Sequence, residues 1–127
     1  MPNQNDHVKL ADDLRGRIEA GDVEGVDALY DDRAIVWRNI DNRELVKKQM
    51  LRVIEFLATQ VTDLRYEDVR VQATETGYVQ QHTLKCVAAN GKPVEVRACL
   101  VVTVENGKVL RLDEYLDSAA MAPLMSD

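Results

Sequence analysis

Between Pro93 and Asp117 apolar and polar positions alternate with a period of two. Val94, Val96, Ala98, Leu100, Val102 and Val104 take the even positions, with Glu95, Arg97, Cys99, Val101, Thr103 and Glu105 between them. Successive side chains of a strand point to opposite faces, so the pattern predicts a half-buried antiparallel strand with one apolar face. Asn106-Gly107 tolerates positive φ and predicts a tight hairpin turn. The return strand puts Leu110, Leu112, Glu114 and Leu116 on one face and Arg111, Asp113, Tyr115 and Asp117 on the other. Glu114 interrupts a row of leucines. An ionised carboxylate on a core face is costly unless it is paired, hydrated or protonated, so Glu114 reads as the floor of a pocket.

The same reading extends to the rest of the chain. Asp6 is placed to cap a first helix with the stripe Leu10, Leu14 and Ile18, ended by Gly21. Asp22 caps a short second helix carrying Val23, Val26, Leu29 and Tyr30. Asp31-Asp32-Arg33 reads as a turn into a short strand over Ala34–Arg38. Asp41 and Glu44 have capping-box spacing for a long helix running to about Thr59, with Val46, Met50, Val53, Ile54, Leu57 and Val61 on one stripe. From Val61 to Thr76 the pattern is strand-like, but its apolar parity slips from Leu64 and Tyr66 to Val69, Val71 and Ala73. A bulge or bend at Glu67-Asp68 accounts for the slip. Thr76-Gly77 and Asn90-Gly91 turn the chain twice more, around a strand over Tyr78–Ala88. The fold class is α+β: a cone-shaped, curved antiparallel sheet of four main strands, with three N-terminal-half helices over its concave face. The last ten residues, Ser118–Asp127, read as a short helix or tail across the mouth.

Composition narrows the function more than it names it. A chain of 127 residues suits one domain, spanning 1–127 with its core at about 6–118. A formal charge of −6 argues against a nucleic-acid partner, which would call for a basic face. No apolar run reaches membrane-span length, and Met1–Leu10 lacks a signal-like apolar stretch, so a cytoplasmic protein is expected. Cys86 and Cys99 fall on opposite faces of the sheet in the expected registers, which excludes a bridge. Two histidines, His7 and His82, without zinc-type spacing, lead to no metal and no cofactor being expected.

Several stretches resemble the nuclear-transport-factor-2-like superfamily, which includes SnoaL-like polyketide cyclases, ketosteroid isomerases, limonene epoxide hydrolases and scytalone dehydratases. They are the run from Ala20-Gly21-Asp22 through Tyr30 to Asp31-Asp32-Arg33-Ala34, Glu105-Asn106-Gly107-Lys108-Val109, and Asp113-Glu114-Tyr115-Leu116-Asp117. The resemblance spans roughly Asp6 to Ser118 and implies the cystatin-like cone. It is weaker for activity, because one fold hosts many functions. The positions matching the ketosteroid isomerase tyrosine and two acids are Leu14, Arg38 and Leu100, which disfavours that activity. For limonene epoxide hydrolases, Glu114 matches the last aspartate, Trp37 the tyrosine and Asn39 the asparagine. His82 and Leu84 stand where the arginine and the other aspartate would be, so half of that constellation has changed. The acidic base that SnoaL-like cyclases carry on the last strand is matched by Glu114. The resemblance also implies a homodimer through the convex sheet face, where Cys99, Val101 and Tyr115 lower the polarity.

Glu114 and His82 are therefore the catalytic candidates, the carboxylate as base and the imidazole as its partner. Each has a plainer alternative, Glu114 as a structural carboxylate and His82 as a core histidine satisfied by one hydrogen bond. Trp37, Asn39, Tyr78, Gln80, Val96, Ala98, Leu100, Leu112 and Leu116 are the expected substrate-binding residues. Two functions stay open. One is a cofactor-independent acid-base enzyme (isomerase, cyclase, dehydratase or hydrolase) acting on a small, largely apolar metabolite. The other is a non-catalytic ligand-binding or dimerisation domain of the same fold.

Overall fold

A computed structural model describes residues 4–125; residues 1–3 of the N-terminal reading and the last two residues of the tail lie outside that range. The chain runs α1 (Gln4–Glu19), α2 (Val23–Leu29), β1 (Tyr30–Arg38), β2 (Arg43–Val46), α3 (Lys47–Gln60), β3 (Thr62–Ala73), β4 (Gly77–Val87), β5 (Pro93–Glu105), β6 (Lys108–Leu116), a 3-10 turn (Ser118–Met121) and α4 (Ala122–Met125). The described residues thus form six strands and four α-helices, where four main strands and three helices were expected.

One sheet holds all six strands in the order β2-β1-β6-β5-β4-β3. Every neighbouring pair is antiparallel except β1 and β6, which run parallel. The alternation expected for β5 is present: Val94, Val96, Leu100 and Val102 are buried, while Glu95, Arg97 and Val101 are exposed. Asn106 and Gly107 both take positive φ, 52° and 77°, as the hairpin turn requires. The parity slip in β3 falls where the sequence placed it. Asp68 adopts φ 54° and the register with β4 breaks between Glu67 and Arg70.

Several local expectations need correction. Asp6 lies inside the first turn of α1 and does not precede it as a cap, and Tyr30 opens β1 where it was expected on the second helix. Asp31–Arg33 belongs to β1 although Asp31 makes turn-like bonds to Arg33, and the register with β6 is irregular from Tyr30 to Ile35. The Asp41–Glu44 stretch is not a helix cap. Asp41 bonds Arg38 and the Arg43 amide, Arg43–Val46 pairs with β1, and the helix starts at Lys47, with Gln49 Oε1 accepting from Val46 N at 3.0 Å. At the start of β6 a register shift places Val109, not Leu110, in the core.

The expected stripe of α1 is buried against the sheet, whereas that of α3 is buried, within the helix, only at Met50 and Ile54: Val46 and Val53 are exposed, and Val46 lies in β2. Leu10, Leu14 and Ile18 of α1, Val26 of α2, and Met50 and Ile54 of α3 join Val36, Val102, Val109 and Leu112 in one core. Gly21 closes α1 with φ 70° and paired bonds from Gly21 N to Ile18 O and from Asp22 N to Arg17 O. A second cluster, Val61, Cys86, Val94 and Val96, lies at the other end of the sheet, covered by Ala120, Met121 and Leu124 of the tail. Cys86 and Cys99 are free, and their register partners Val94 and Tyr115 put them on opposite faces.

Candidate active site

Pairing of four strands brings the candidates of the inner face into rows. Arg38 of β1 lies beside Glu114 of β6, which faces Leu100 of β5, which in turn faces Gln80 of β4. The neighbouring rows run Val36, Leu112, Val102, Tyr78 on one side and Leu116, Ala98, His82 on the other. Tyr78, Gln80, His82, Val96, Leu100 and Leu112 are buried, while Ala98 and Leu116 are partly so. All of them share the face that Glu114 occupies.

Glu114 is half-buried, and its carboxylate makes no hydrogen bond or ion pair with the described residues. Burial raises its pKa, and the positive charge of Arg38 opposes that rise. Arg38 directs Nη2 outward to Asp41 Oδ2 at 2.6 Å and leaves Nε buried without a partner. Tyr30 and Tyr66 lie near this carboxyl group, and Tyr78 lies near both of them. Tyr30, Tyr66 and Tyr78 all have raised pKa values, caused first by burial, and the charge of Glu114 adds to the rise at Tyr30 and Tyr66. The Tyr78 hydroxyl is buried without a hydrogen-bond partner. An unpaired carboxyl group among unengaged phenols can move a proton while the phenols steady a developing negative oxygen.

His82 is held elsewhere on the face. Its Nδ1 lies 2.9 Å from Gln80 Nε2, and its ring meets Tyr66 edge-on with centroids 4.8 Å apart. Burial and then the nearby Arg15 charge push its pKa down to about 4. Glu114 and His82 are separated by the whole of β5, roughly 9–10 Å across two strand spacings, and one row along the sheet. The structure therefore does not pair them as a dyad.

Trp37 and Asn39 are corrected as well. Trp37 faces outward from β1, donates Nε1–H to Asn42 Oδ1 at 2.8 Å and packs edge-on against Tyr115. It lines an open hollow of about 590 Å³ with Asn42, Glu44, Arg111, Asp113 and Tyr115, on the side of the sheet away from Glu114. Asn39 acts as one more rung of the sheet, donating Nδ2–H to Leu116 O and accepting from Leu116 N through Oδ1. A second depression of about 410 Å³ sits between α3 and the tail, lined by Phe56, Gln60, Ala88, Ala89, Asn90, Pro123 and Leu124. Glu114 lines neither of these hollows.

Sequence reasoning passed over Arg38, Tyr66 and Arg15 as site residues. Arg38 carried a usable signal, since it shares parity with the buried Ala34 and Val36 and so puts a charge on a core face, as Glu114 does. Tyr66 shares parity with Leu64 before the bulge. Arg15 carried none, because the tip of a long side chain decides where it reaches. Among the described residues no group of three or more His, Cys, Asp or Glu is placed to hold a metal ion.

The family model described as a SnoaL-like domain matches residues 12–112. The chain belongs to the SnoaL-like family. Solved structures agree in fold. A candidate polyketide cyclase from Xanthomonas campestris pv. campestris superposes with a TM-score of 0.84 at 14% identity, covering 98% of this chain and 100% of that one. A candidate isomerase from Bacillus subtilis gives 0.84 at 12% identity, covering 98% and 96%. An NTF2-like protein from Burkholderia xenovorans LB400 gives 0.79 at 14% identity, covering 98% of both chains. At such identities the likeness of this SnoaL-like chain to each is one of fold. No curated protein matches it in sequence. No helix among the described residues is long and apolar enough to cross a membrane.

Proposed function

We propose that this SnoaL-like protein is a cofactor-independent acid-base enzyme of the isomerase, cyclase, dehydratase or hydrolase type. Its substrate is a small, largely apolar molecule with an enolisable carbonyl, or with a hydroxyl or epoxide oxygen that departs as it takes up a proton. Glu114 carries the proton, and the tyrosine hydroxyls steady the oxygen on which charge builds. The observation that carries this reading is the Glu114 carboxyl group itself, partly reachable, unpaired and raised in pKa among apolar and phenolic side chains. The protein acts as a single cytoplasmic domain and as a homodimer, joined through the outer sheet face on which Val101 and Tyr115 are exposed.

The test is α-proton exchange. A panel of cyclic ketones is incubated with the protein in D2O and followed by proton NMR. The wild type accelerates exchange of at least one ketone, and Glu114→Gln lowers that rate by about 100-fold or more. Equal rates in the two proteins would remove Glu114 from the chemistry. The second reading is a ligand-binding module, and it is favoured by the separation of His82 from Glu114. It predicts ketone binding without any exchange above the buffer rate.

A further inference from the structure

Three buried side chains follow one another on the inner face of β4: Tyr78, Gln80 and His82. Gln80 is gripped from both sides. Arg15 Nη1 of α1 donates to its Oε1 at 2.8 Å, and its Nε2 lies 2.9 Å from His82 Nδ1. Arg15 is anchored in turn by an ion pair with Asp12, three residues earlier on α1. A guanidinium offers donors and no acceptor, so the amide atom facing it must be the oxygen. The amide NH2 is then left for His82, and Nδ1 must be the bare, accepting nitrogen. The proton of the neutral ring consequently resides on Nε2. The Tyr66 ring, edge-on at 68°, limits rotation of the imidazole. Nε2 has no hydrogen-bond partner among the described residues and is not among the sealed polar atoms, which are Arg38 Nε and Tyr78 Oη.

We propose that Gln80, held by Arg15, is a positioning residue that fixes His82 as a neutral Nε2–H donor for a ligand oxygen. The matching ligand class is a neutral molecule with a carbonyl or hydroxyl lone pair, not an ammonium or another donor-only group. The groups facing His82 are Arg15 from α1 and Tyr66 from β3, with no carboxylate in contact to stabilise an imidazolium. His82 therefore polarises and orients, and it does not shuttle protons. The ligand half of the proposal rests on the inner face being the ligand site; the tautomer half stands independently of any turnover.

The experiment is long-range 1H–15N correlation NMR on the uniformly 15N-labelled full chain between pH 5 and 8, with His82→Asn to assign the ring. The expected wild-type spectrum shows one proton on Nε2 and none on Nδ1 throughout. Gln80→Glu, whose carboxylate accepts from both neighbours, should move a proton onto Nδ1. A wild-type His82 ring protonated at Nδ1 at pH 7 would overturn the assignment. So would a Gln80→Glu spectrum identical to wild type. If His82→Asn does not fold, His7→Asn identifies the ring by removing the other histidine. For the ligand half, cyclohexanone, 2-cyclohexenone and 1-tetralone are titrated against cyclohexylammonium. A shift of the Nε2–H resonance with any of the ketones supports the proposal, whereas silence from all three, or a response to the ammonium ion, refutes it. Loss of ketone exchange in Glu114→Gln with the Nε2–H signal intact separates this inference from the proposed chemistry.

Discussion

His82 has its pKa pressed down to about 4 from an ordinary 6.5, so the folded ring stays neutral where the unfolded ring begins to take a proton. Unfolded chains then bind more protons than folded ones, and stability falls as pH drops from 6.5 towards 4, by roughly 3 kcal/mol at most. Glu114 acts with the opposite sign. Its folded pKa is raised, so the folded state holds its proton above the ordinary 4.5 and loses stability as pH rises through that region. Chemical denaturation across pH 5–7 should therefore show a flatter acid limb for His82→Asn and a steeper one for Glu114→Gln. Variants that both track the wild type would contradict the burial of these groups. Asp31, with its pKa lowered to about 2 by hydrogen bonds and charge from Arg33, titrates below this window and does not confuse it. At this scale Glu114 was legible because a carboxylate in a leucine row is an anomaly of period two. Trp37 was not, because β1 carries apolar residues on both faces (Ile35 and Trp37 against Ala34 and Val36), and alternation then gives no direction.

The turn between β3 and β4 leans across β5, where Val104 N donates to Thr76 O at 2.7 Å and Thr74 N donates to Gly77 O at 2.9 Å. Gly77 is buried there, and a Cβ on it would collide with the Val102 carbonyl, which is backbone and cannot swing aside. Gly77→Ala is expected to cost about 3 kcal/mol or more, lowering Tm by roughly 10 °C; calorimetry showing an unchanged Tm would mean that the turn stands off β5. The elements most readable from sequence were those with long, unbroken alternation and an Asn-Gly turn, namely β5 and β6 with their hairpin. β2 was hidden for a physical reason: of Arg43, Glu44, Leu45 and Val46, only Leu45 is buried. Four residues with a single core contact carry no period, and Asp41 with Glu44 imitates a helix cap. Gln49 supplies the bond to Val46 N that the sequence reading assigned to an earlier pair.

The whole molecule presents two unlike surfaces. Its inner face is closed by α1, α2 and α3, whereas Tyr115 at 48% and Val101 at 42% exposure stand on the outer face beside Trp37. Covering that face by a second copy predicts a dimer in light scattering at micromolar concentration, and Tyr115→Lys should shift it towards monomer without altering the circular dichroism spectrum. A wild-type mass near 14 kDa would contradict the dimer. The parallel seam between β1 and β6 has a temporal side. Arg38 finds its neighbour Glu114 only after β2, α3, β3, β4 and β5 have all been synthesised between them. Until then β1 and β2 have an unfilled edge, and β5 has another, on a nascent polypeptide still attached to the ribosome. Such a chain meets itself late, and the interval before closure is when a chaperone would find most to hold.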